Sequence, residues 1–225
     1  MSPGKPVFIT FEGGEGAGKT TQILHVAAFL TDRGRSCILT REPGGTDLGR
    51  KIRALLLDPA HVAMDARTEL LLYMADRAEH LARVVRPALA AGRVVLCDRF
   101  FDATVVYQGA ARGLSMEWAE TLHELVFPGV RPDLTLLLDL APEVGLARAR
   151  RQMEKGGRAA REGRFENEDL GFHRRVREGY LELARRRPER FRVIDAGRGE
   201  AEVKADLLRA VAGFLGIPPP GGEAP

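Results

Sequence analysis

One short segment combines the residue types that hold a phosphate group. Residues 13–20 fit the pattern G-x-x-x-x-G-K-T of a P-loop. Glycines let successive backbone N–H groups converge on phosphate oxygens, the lysine can reach the β- and γ-phosphates, and the threonine hydroxyl can bind Mg²⁺. The residues expected to contact a bound nucleotide are Gly13, Gly14, Glu15, Gly16, Ala17, Gly18, Lys19, Thr20 and Thr21.

The residues on both sides distinguish this match from a chance glycine-rich turn. Residues 7–12 are largely apolar and typical of a buried strand. Residues 21–33 carry apolar side chains at helical spacing, and Gly34 predicts the helix end. Strand, glycine loop and helix in this order favour a phosphate site, because the helix N-terminus adds partial positive charge. The sequence therefore predicts binding of a nucleoside triphosphate.

Further charged residues follow other strand-like runs. Asp98 and Arg99 come directly after the apolar run 94–97, and Glu42 lies just beyond the run 37–40. An aspartate in this position can hold the water shell of Mg²⁺, and an arginine can clamp a phosphate with its planar guanidinium. An internal Asp98–Arg99 ion pair is the alternative interpretation. Glu42 is a third carboxylate or base candidate by the same geometry.

The elements that must position these residues alternate between strand and helix. Five apolar runs predict strands, at 7–12, 37–40, 94–97, 134–140 and 191–194. The main helical patterns lie at 66–91, from Pro142 onward, at 170–187 and at 200–215, and Ser115 is placed to cap a helix that reaches about Val126. This alternation predicts an α/β fold, three-layered α/β/α with a five-stranded parallel sheet, which is the P-loop NTPase fold.

We expect one kinase-like domain, at 1–217, followed by a disordered tail at 218–225. Within the domain an arginine-rich stretch at about 148–167, here called the lid segment, has the composition of a phosphate-closing lid. A solvated helix end is the alternative for about half of its arginines. In a doubly wound sheet, ligands bind at the carboxyl ends of the strands, so the candidate residues are expected to meet there.

Composition and charge exclude several classes of protein. The chain has 225 residues, of which 44% are hydrophobic, and this suits one globular α/β domain. No apolar run approaches the roughly 20 residues of a transmembrane helix, and the start does not resemble a signal peptide. Cys37 and Cys97 lie in strand-like runs and are expected to be reduced thiols. The 34 basic residues nearly balance 31 acidic ones, so we expect a cytoplasmic protein without a membrane or nucleic-acid partner.

The class of P-loop protein can be narrowed from the same sequence. An N-K-x-D motif, which a GTPase would use for base specificity, does not occur. A motor or large ATPase would need a longer chain. A small chain with an arginine-bearing lid fits a nucleoside monophosphate kinase, in which lid closure excludes water and brings positive charge to the transferred phosphate.

Four separated motifs resemble those of the thymidylate kinase (dTMP kinase) family. They are residues 11–21, with the P-loop; residues 40–46, Thr-Arg-Glu-Pro-Gly-Gly-Thr; residues 98–102, Asp-Arg-Phe-Phe-Asp, continuing to Tyr107-Gln108-Gly109; and residues 163–166, Gly-Arg-Phe-Glu. A P-loop alone is shared by many families. The order and spacing of all four are specific, and they extend along nearly the whole chain.

This resemblance implies where the acceptor nucleotide binds. The residue matching Glu15 faces the 3′-hydroxyl of dTMP, and the residue matching Arg99 holds the dTMP phosphate near the γ-phosphate of ATP. Tyr73 takes the place of the usual base-stacking phenylalanine, and Arg77, one turn later, matches the arginine that donates to thymine O4. Without the family, Tyr73 as a core residue and Arg77 as a surface charge would be favoured.

The remaining acceptor contacts follow from the same resemblance. Thr104 and Gln108, one turn apart, match residues that meet the thymine edge. Glu42 and Pro43 are implied as part of the acceptor site, where Pro43 shapes the base pocket. The Glu42–Pro43 peptide bond is a candidate for the cis form.

Two departures from the family concern the catalytic arginine. Some members carry it inside the P-loop, where this chain has Gly16, so the chain resembles the subclass in which the lid supplies it. Arg164 matches the motif best, although Gly163 stands where the family commonly has aspartate. Arg148 is also expected to contact ATP. The candidate lid arginines are Arg148, Arg150, Arg158, Arg161 and Arg164.

The sequence thus predicts phosphoryl transfer from ATP·Mg²⁺ to dTMP, giving dTDP and ADP, by a homodimer of the family's type. Lys19 and a lid arginine neutralise charge, and Thr20 and Asp98 hold Mg²⁺. Three alternatives stay open: another small-molecule P-loop kinase, which would differ in the acceptor pocket; an ATPase that binds nucleic acid through the basic segment; and a protein that only senses nucleotide.

Overall fold

The centre of the computed structural model, which describes residues 6–154 and 163–220, is a five-stranded sheet. Its strands are β1 (Val7–Glu12), β2 (Cys37–Arg41), β3 (Val94–Asp98), β4 (Leu134–Asp139) and β5 (Phe191–Asp195). All neighbouring strands are parallel, in the order β2-β3-β1-β4-β5. The predicted α/β fold with a five-stranded parallel sheet is confirmed.

Helices cover both faces of this sheet. They are α1 (Lys19–Thr31), α2 (Asp47–Leu57), α3 (Ala66–His80), α4 (Arg86–Ala90), α5 (Phe101–Thr104), α6 (Met116–Val126), α7 (Pro142–Glu154), α8 (Leu170–Arg186) and α9 (Glu200–Leu215). A 3₁₀ turn covers Pro59–His61, and two π-helical turns cover Leu81–Val85 and Val105–Ala111.

The three layers follow from the alternation of side chains along each buried strand. Successive residues of a strand point to opposite faces of the sheet. In β1, Phe8 joins the core cluster that contains Leu70 of α3 and Val176 of α8. Its neighbour Ile9 joins the other cluster, with Leu207 of α9. Because both faces are buried, the strands read as continuous apolar runs in the sequence.

The structure divides the single helix that was predicted at 66–91. Helical backbone continues through the segment, but the π turn Leu81–Val85 separates α3 from α4. Pro87 lies in the first turn of α4 and has no backbone N–H to donate to a preceding carbonyl. A change in the hydrogen-bonding pattern just before this proline is therefore expected.

A second difference is the helical segment made of α5 and the π turn Val105–Ala111, which the sequence interpretation left without an element. The cap predicted at Ser115 is present, since its hydroxyl accepts a hydrogen bond from the Trp118 amide at the start of α6. In the predicted tail, the carbonyls of Pro218 and Pro219 accept hydrogen bonds from Arg33, and residues 221–225 lie outside the described part. The domain limits stay a prediction.

Leu207→Ala tests the core between α9 and the sheet. Leu207 is fully buried, with 0% exposure, so its truncation should lower the free energy of unfolding by about 2–5 kcal/mol through lost burial and a cavity. Leu125→Ala, at a side chain that is 76% exposed, is the matched control and should change it by less than about 0.5 kcal/mol. Urea titration followed by circular dichroism measures both, and equal losses would contradict the packing described.

Candidate functional site

The path of the P-loop depends on glycine at two points of close approach. Gly13 and Gly16 have φ angles of 135° and 66°, which residues with a Cβ rarely adopt. A Cβ at Gly13 would lie 2.4 Å from the Leu138 carbonyl oxygen, and one at Gly16 would lie 2.1 Å from the Gly145 carbonyl oxygen. Because α7 approaches the loop so closely, position 16 has no room for the arginine found there in some P-loop kinases.

Lys19 begins α1 and turns back over the loop. Its ammonium donates hydrogen bonds to the carbonyls of Gly13, at 2.9 Å, and Gly14, at 2.8 Å. Burial, together with the nearby positive charge of Arg99, lowers the pKa of Lys19 to about 8, against the opposing effect of Asp98. A buried ammonium held only by carbonyl oxygens is a site that an anionic phosphate would stabilise.

Thr20 and Asp98 bring two oxygen ligands together. Asp98 ends β3, which pairs with β1, and the Thr20 hydroxyl donates to its Oδ2 at 3.0 Å. Among residues 6–154 and 163–220 no group of three or more His, Cys, Asp or Glu side chains could hold a metal. Mg²⁺ uses one or two protein oxygens plus phosphates and waters, so the Thr20–Asp98 pair fits this cation.

Three side chains from other parts of the chain surround the carboxylate of Glu15, which lies inside the P-loop. Its Oε1 accepts hydrogen bonds from Arg99, at 3.0 Å, and from the Tyr107 hydroxyl, at 2.7 Å. His173 Nδ1 lies 3.3 Å from Oε2. Burial alone would raise the pKa of Glu15, but the adjacent His173 and the charges of Arg99 and Lys19 outweigh it and lower the pKa to about 2. The side chain is therefore a fixed anion.

Arg99 is held in an unusual backbone conformation. Its φ of 68° lies in the left-handed region, which a residue with a long side chain adopts only when its surroundings impose it. Its guanidinium donates to the Tyr180 hydroxyl at 3.3 Å and lies 4.9 Å from the centre of the Tyr107 ring. With Glu15, these contacts aim a permanent positive charge at the space beside the P-loop.

Glu12, at the end of β1, supports Arg99 from below. It is buried and accepts hydrogen bonds from the Tyr180 hydroxyl, at 2.7 Å, and from the Phe100 amide, at 2.8 Å. Burial, followed by the negative charge of Asp102, raises the pKa of Glu12 to about 8. The Glu12 carboxyl therefore holds a proton more tightly than an exposed glutamate does.

A cavity of about 260 Å³ brings the predicted nucleotide residues together beside the loop. The predicted residues that line it are Glu15, Gly16, Lys19, Thr20, Glu42, Pro43, Tyr73, Arg77, Asp98, Arg99, Thr104 and Gln108. The remaining P-loop residues lie in the loop between β1 and α1, and Thr21 lies in α1. The loop residues are Gly13, Gly14, Ala17 and Gly18. Phosphate-binding and acceptor-binding candidates thus share one space.

Arg77 is buried rather than a surface charge, with 1% exposure. Its Nε donates to Glu42 Oε2 at 2.9 Å and its Nη2 donates to the Thr104 hydroxyl at 2.8 Å. His80 Nδ1 lies 2.8 Å from the other Glu42 oxygen. Burial would raise the pKa of Glu42, but Arg77 and His80 outweigh it and lower the pKa. The Glu42–Pro43 peptide bond is cis, as the sequence suggested.

Several residues that line the cavity had no role in the sequence interpretation, among them Arg53, Tyr107, Phe165 and Glu166. Tyr107, Phe165 and Glu166 stand inside the motifs that carry the family resemblance, so the signal was present there. Arg53 lies on α2 next to other basic residues, and such a sequence is typical of a solvent-exposed helix face. Its guanidinium donates to the Pro43 carbonyl at 3.0 Å, a contact that no local spacing predicts.

The structure does not bring Arg164 to the P-loop. It is 1% exposed, and its guanidinium donates to the carbonyls of His61, at 3.1 Å, and Leu56, at 3.0 Å, and to the Glu69 carboxylate. These contacts occupy the guanidinium N–H groups that Arg164 would need in order to bind a phosphate. Arg148 of α7 donates to the Ala196 carbonyl, just after β5, at 3.2 Å. Two other candidate lid arginines, at 158 and 161, lie outside the described residues.

Within the described ranges, no helix combines the length and the apolarity that crossing a membrane demands.

Comparison with known proteins agrees with the geometry. The thymidylate kinase family model matches residues 11–207. The chain is 56% identical to the thymidylate kinase of Desulfosudis oleivorans over 205 residues, which cover 91% of this chain and 96% of that protein. It is 51% identical to that of Desulforapulum autotrophicum over 211 residues, or 94% and 93% of the two chains.

A solved structure gives the same result. The crystal structure of thymidylate kinase from Ehrlichia chaffeensis superposes with a TM-score of 0.72 at 33% identity, covering 93% of this chain and 99% of the other. The family model, the relatives and the structure all span most of the chain, including the P-loop and the residues that line the cavity beside it. The chain belongs to the thymidylate kinase family.

Proposed function

We propose that the chain transfers the γ-phosphate of ATP to dTMP, giving dTDP and ADP. The observation that carries this function is the single cavity in which P-loop residues Lys19 and Thr20 lie beside Arg77 and Arg99. The reaction needs donor and acceptor phosphates in one space. A phosphate oxygen of dTMP attacks the γ-phosphorus, and the bond to the β–γ bridging oxygen breaks. Catalysis then rests on positioning and charge neutralisation.

On the donor side, the P-loop would cradle the ATP phosphates and Lys19 would exchange its two carbonyl partners for phosphate oxygens. Thr20 and Asp98 would hold Mg²⁺, and the 3.0 Å distance between their oxygens supports this. When bound, the cation neutralises phosphate charge. Arg148, next to the chain that follows β5, would contact ATP.

On the acceptor side, Arg99 would hold the dTMP phosphate and the Glu15 anion would accept the 3′-hydroxyl. Tyr73 would stack on the base, and Arg77 would donate to thymine O4, with Thr104 and Gln108 at the base edge and Glu42 and Pro43 behind it. Burial of Arg77 against Glu42 supports a fixed donor rather than a mobile charge.

The catalytic lid arginine is the part of the prediction that the described contacts support least. The buried partners of Arg164 favour a structural role for it. Arg148 and Arg150 of α7, with positions 158 and 161, therefore remain as candidates to contact the phosphates. A homodimer and a cytoplasmic location stay predictions. Exposed apolar side chains on α2 and α3, namely Leu48, Leu55 and Leu71, are consistent with a subunit contact.

The proposed function is tested with a panel of acceptors. ADP formation from ATP and Mg²⁺ is measured with dTMP, dUMP, UMP, dCMP, dGMP and AMP. We expect dTMP to lead, because the cavity offers cationic donors where its O4 and phosphate would lie. Fastest turnover with another monophosphate would retain a P-loop kinase but reject the thymine site. Absence of turnover with every acceptor would point to a nucleotide-binding role.

The lowered pKa of Lys19 implies that the affinity for ATP depends on pH. Its pKa of about 8 in the free protein means that it loses its proton as pH rises above that value, while phosphate binds the protonated form. The dissociation constant of ATP should therefore be flat below about pH 8 and rise towards tenfold per pH unit above it. Calorimetric titration from pH 7 to about 9.5 measures this.

Lys19→Arg is the matched control for this titration, because a guanidinium stays protonated throughout. The variant keeps Glu12, whose pKa is also about 8, so it separates the titration of Lys19 from that of Glu12. Its ATP affinity should not fall in the same way above pH 8. An equal rise of the dissociation constant in both proteins would assign the pH dependence to another group.

A further inference from the structure

Glu69 is a buried carboxylate to which the proposed reaction gives no role. It lies on α3 with 0% exposure. Gln108 Nε2 donates to its Oε1 at 2.6 Å, Arg112 donates to its two oxygens at 3.4 and 3.3 Å, and Arg164 Nη2 donates to Oε2. Three side chains from distant parts of the sequence therefore converge on one anion.

The two arginines fix this anion in place. Arg164 is itself anchored to the carbonyls of Leu56 and His61, and Arg112 also pairs with Glu168 at 2.6 Å. A buried carboxylate with two charged partners has little freedom to turn, because leaving any of these charges unpaired is costly. Glu69 is thus a rigid acceptor close to the base end of the cavity.

A rigid acceptor determines which end of the Gln108 amide faces it. A carboxylate can only accept hydrogen bonds, so the amide nitrogen of Gln108 must point to Glu69. Gln108 lines the cavity, and its carbonyl oxygen Oε1 is the polar atom left to offer to a ligand. Arg77, from α3, lines the same cavity and offers only donors.

An acceptor at Gln108 beside donors at Arg77 fits one class of pyrimidine. A pyrimidine-2,4-dione, such as thymine or uracil, presents an N3–H donor next to the O4 acceptor. A 4-aminopyrimidine such as cytosine presents a bare N3 next to an amino group. Its N3 acceptor would then face the Gln108 oxygen, also an acceptor, and its amino donor would face the donors of Arg77. Unmatched polar groups in a buried site cost more than matched ones gain.

We propose that Glu69 is a positioning residue that sets selectivity for the acceptor base by fixing the orientation of the Gln108 amide. Arg164, and with it the Gly-Arg-Phe-Glu motif, serves this selectivity by holding Glu69. The inference rests on the proposed function, because it assumes that the acceptor base lies against Gln108.

The test measures the ratio of dissociation constants for dCMP and dTMP, by calorimetry, together with kcat/KM for each. Glu69→Gln can both accept and donate, so it no longer dictates the direction of the Gln108 amide. We expect the preference for dTMP to fall about tenfold, with ATP affinity unchanged. Glu79→Gln, the same change at a surface pair with Arg83 and on the same helix as Glu69, should leave the preference within about twofold.

A double-mutant cycle separates this role from a general loss of structure. In the Gln108→Leu background, which has no amide to orient, Glu69→Gln should have no further effect on the preference. The proposal is overturned if Glu69→Gln keeps the wild-type preference while Gln108→Leu loses it. An equal loss in both backgrounds would also overturn it, since Glu69 would then act without Gln108.

If Glu69→Gln does not fold, Glu69→Asp replaces it in this test. The aspartate keeps a negative charge for Arg164, but its shorter side chain withdraws the carboxylate from Gln108. It should lose the preference in the same way, and an unchanged preference in this variant would count against the proposal. Failure of the proposed function itself looks different, since the wild-type protein would then show no preference for dTMP at all.

Discussion

Burial of arginine side chains is the constraint on which this site depends. A guanidinium removed from water must be paired, because an isolated buried charge costs several kcal/mol. Three arginines at or beside the cavity, two of them buried and Arg99 half-buried, are each paired with a glutamate. The pairs are Glu15 with Arg99, Glu42 with Arg77, and Glu69 with Arg164. Each of these cations therefore has an anionic partner supplied by the protein itself.

The sheet explains why these pairs form where they do. Glu15 follows β1, Glu42 follows β2 and Arg99 follows β3, and the strand order places β3 between β2 and β1. The carboxyl ends of parallel neighbours meet at one edge of the sheet. Arg77 of α3 lines the cavity, and Glu69, eight residues earlier on the same helix, accepts a hydrogen bond from the cavity residue Gln108. Permanent anions and cations are fixed before substrates arrive, which reduces the reorganisation needed for phosphoryl transfer.

Much of this arrangement could be predicted from the sequence. The five strands, the P-loop and the residues at the strand ends follow from apolar runs and local spacing. The helical segment after Arg99 was not predicted, because its Phe, Val and Tyr residues favour strands and only packing makes them helical. The Glu69–Arg164 pair joins residues 95 positions apart, and no local pattern reveals such a contact. For the same reason Arg164 was expected at the phosphates, where its motif pointed.

The most direct test of the account is calorimetric titration of dTMP and of ATP into the wild-type protein and into Glu42→Gln. Glu79→Gln, the same change at a surface pair with Arg83 on α3, is the control. If the glutamates hold the acceptor arginines, Glu42→Gln should weaken dTMP binding about tenfold or more while ATP affinity and both affinities of the control stay unchanged. A folded Glu42→Gln protein with wild-type affinity for dTMP would contradict the account.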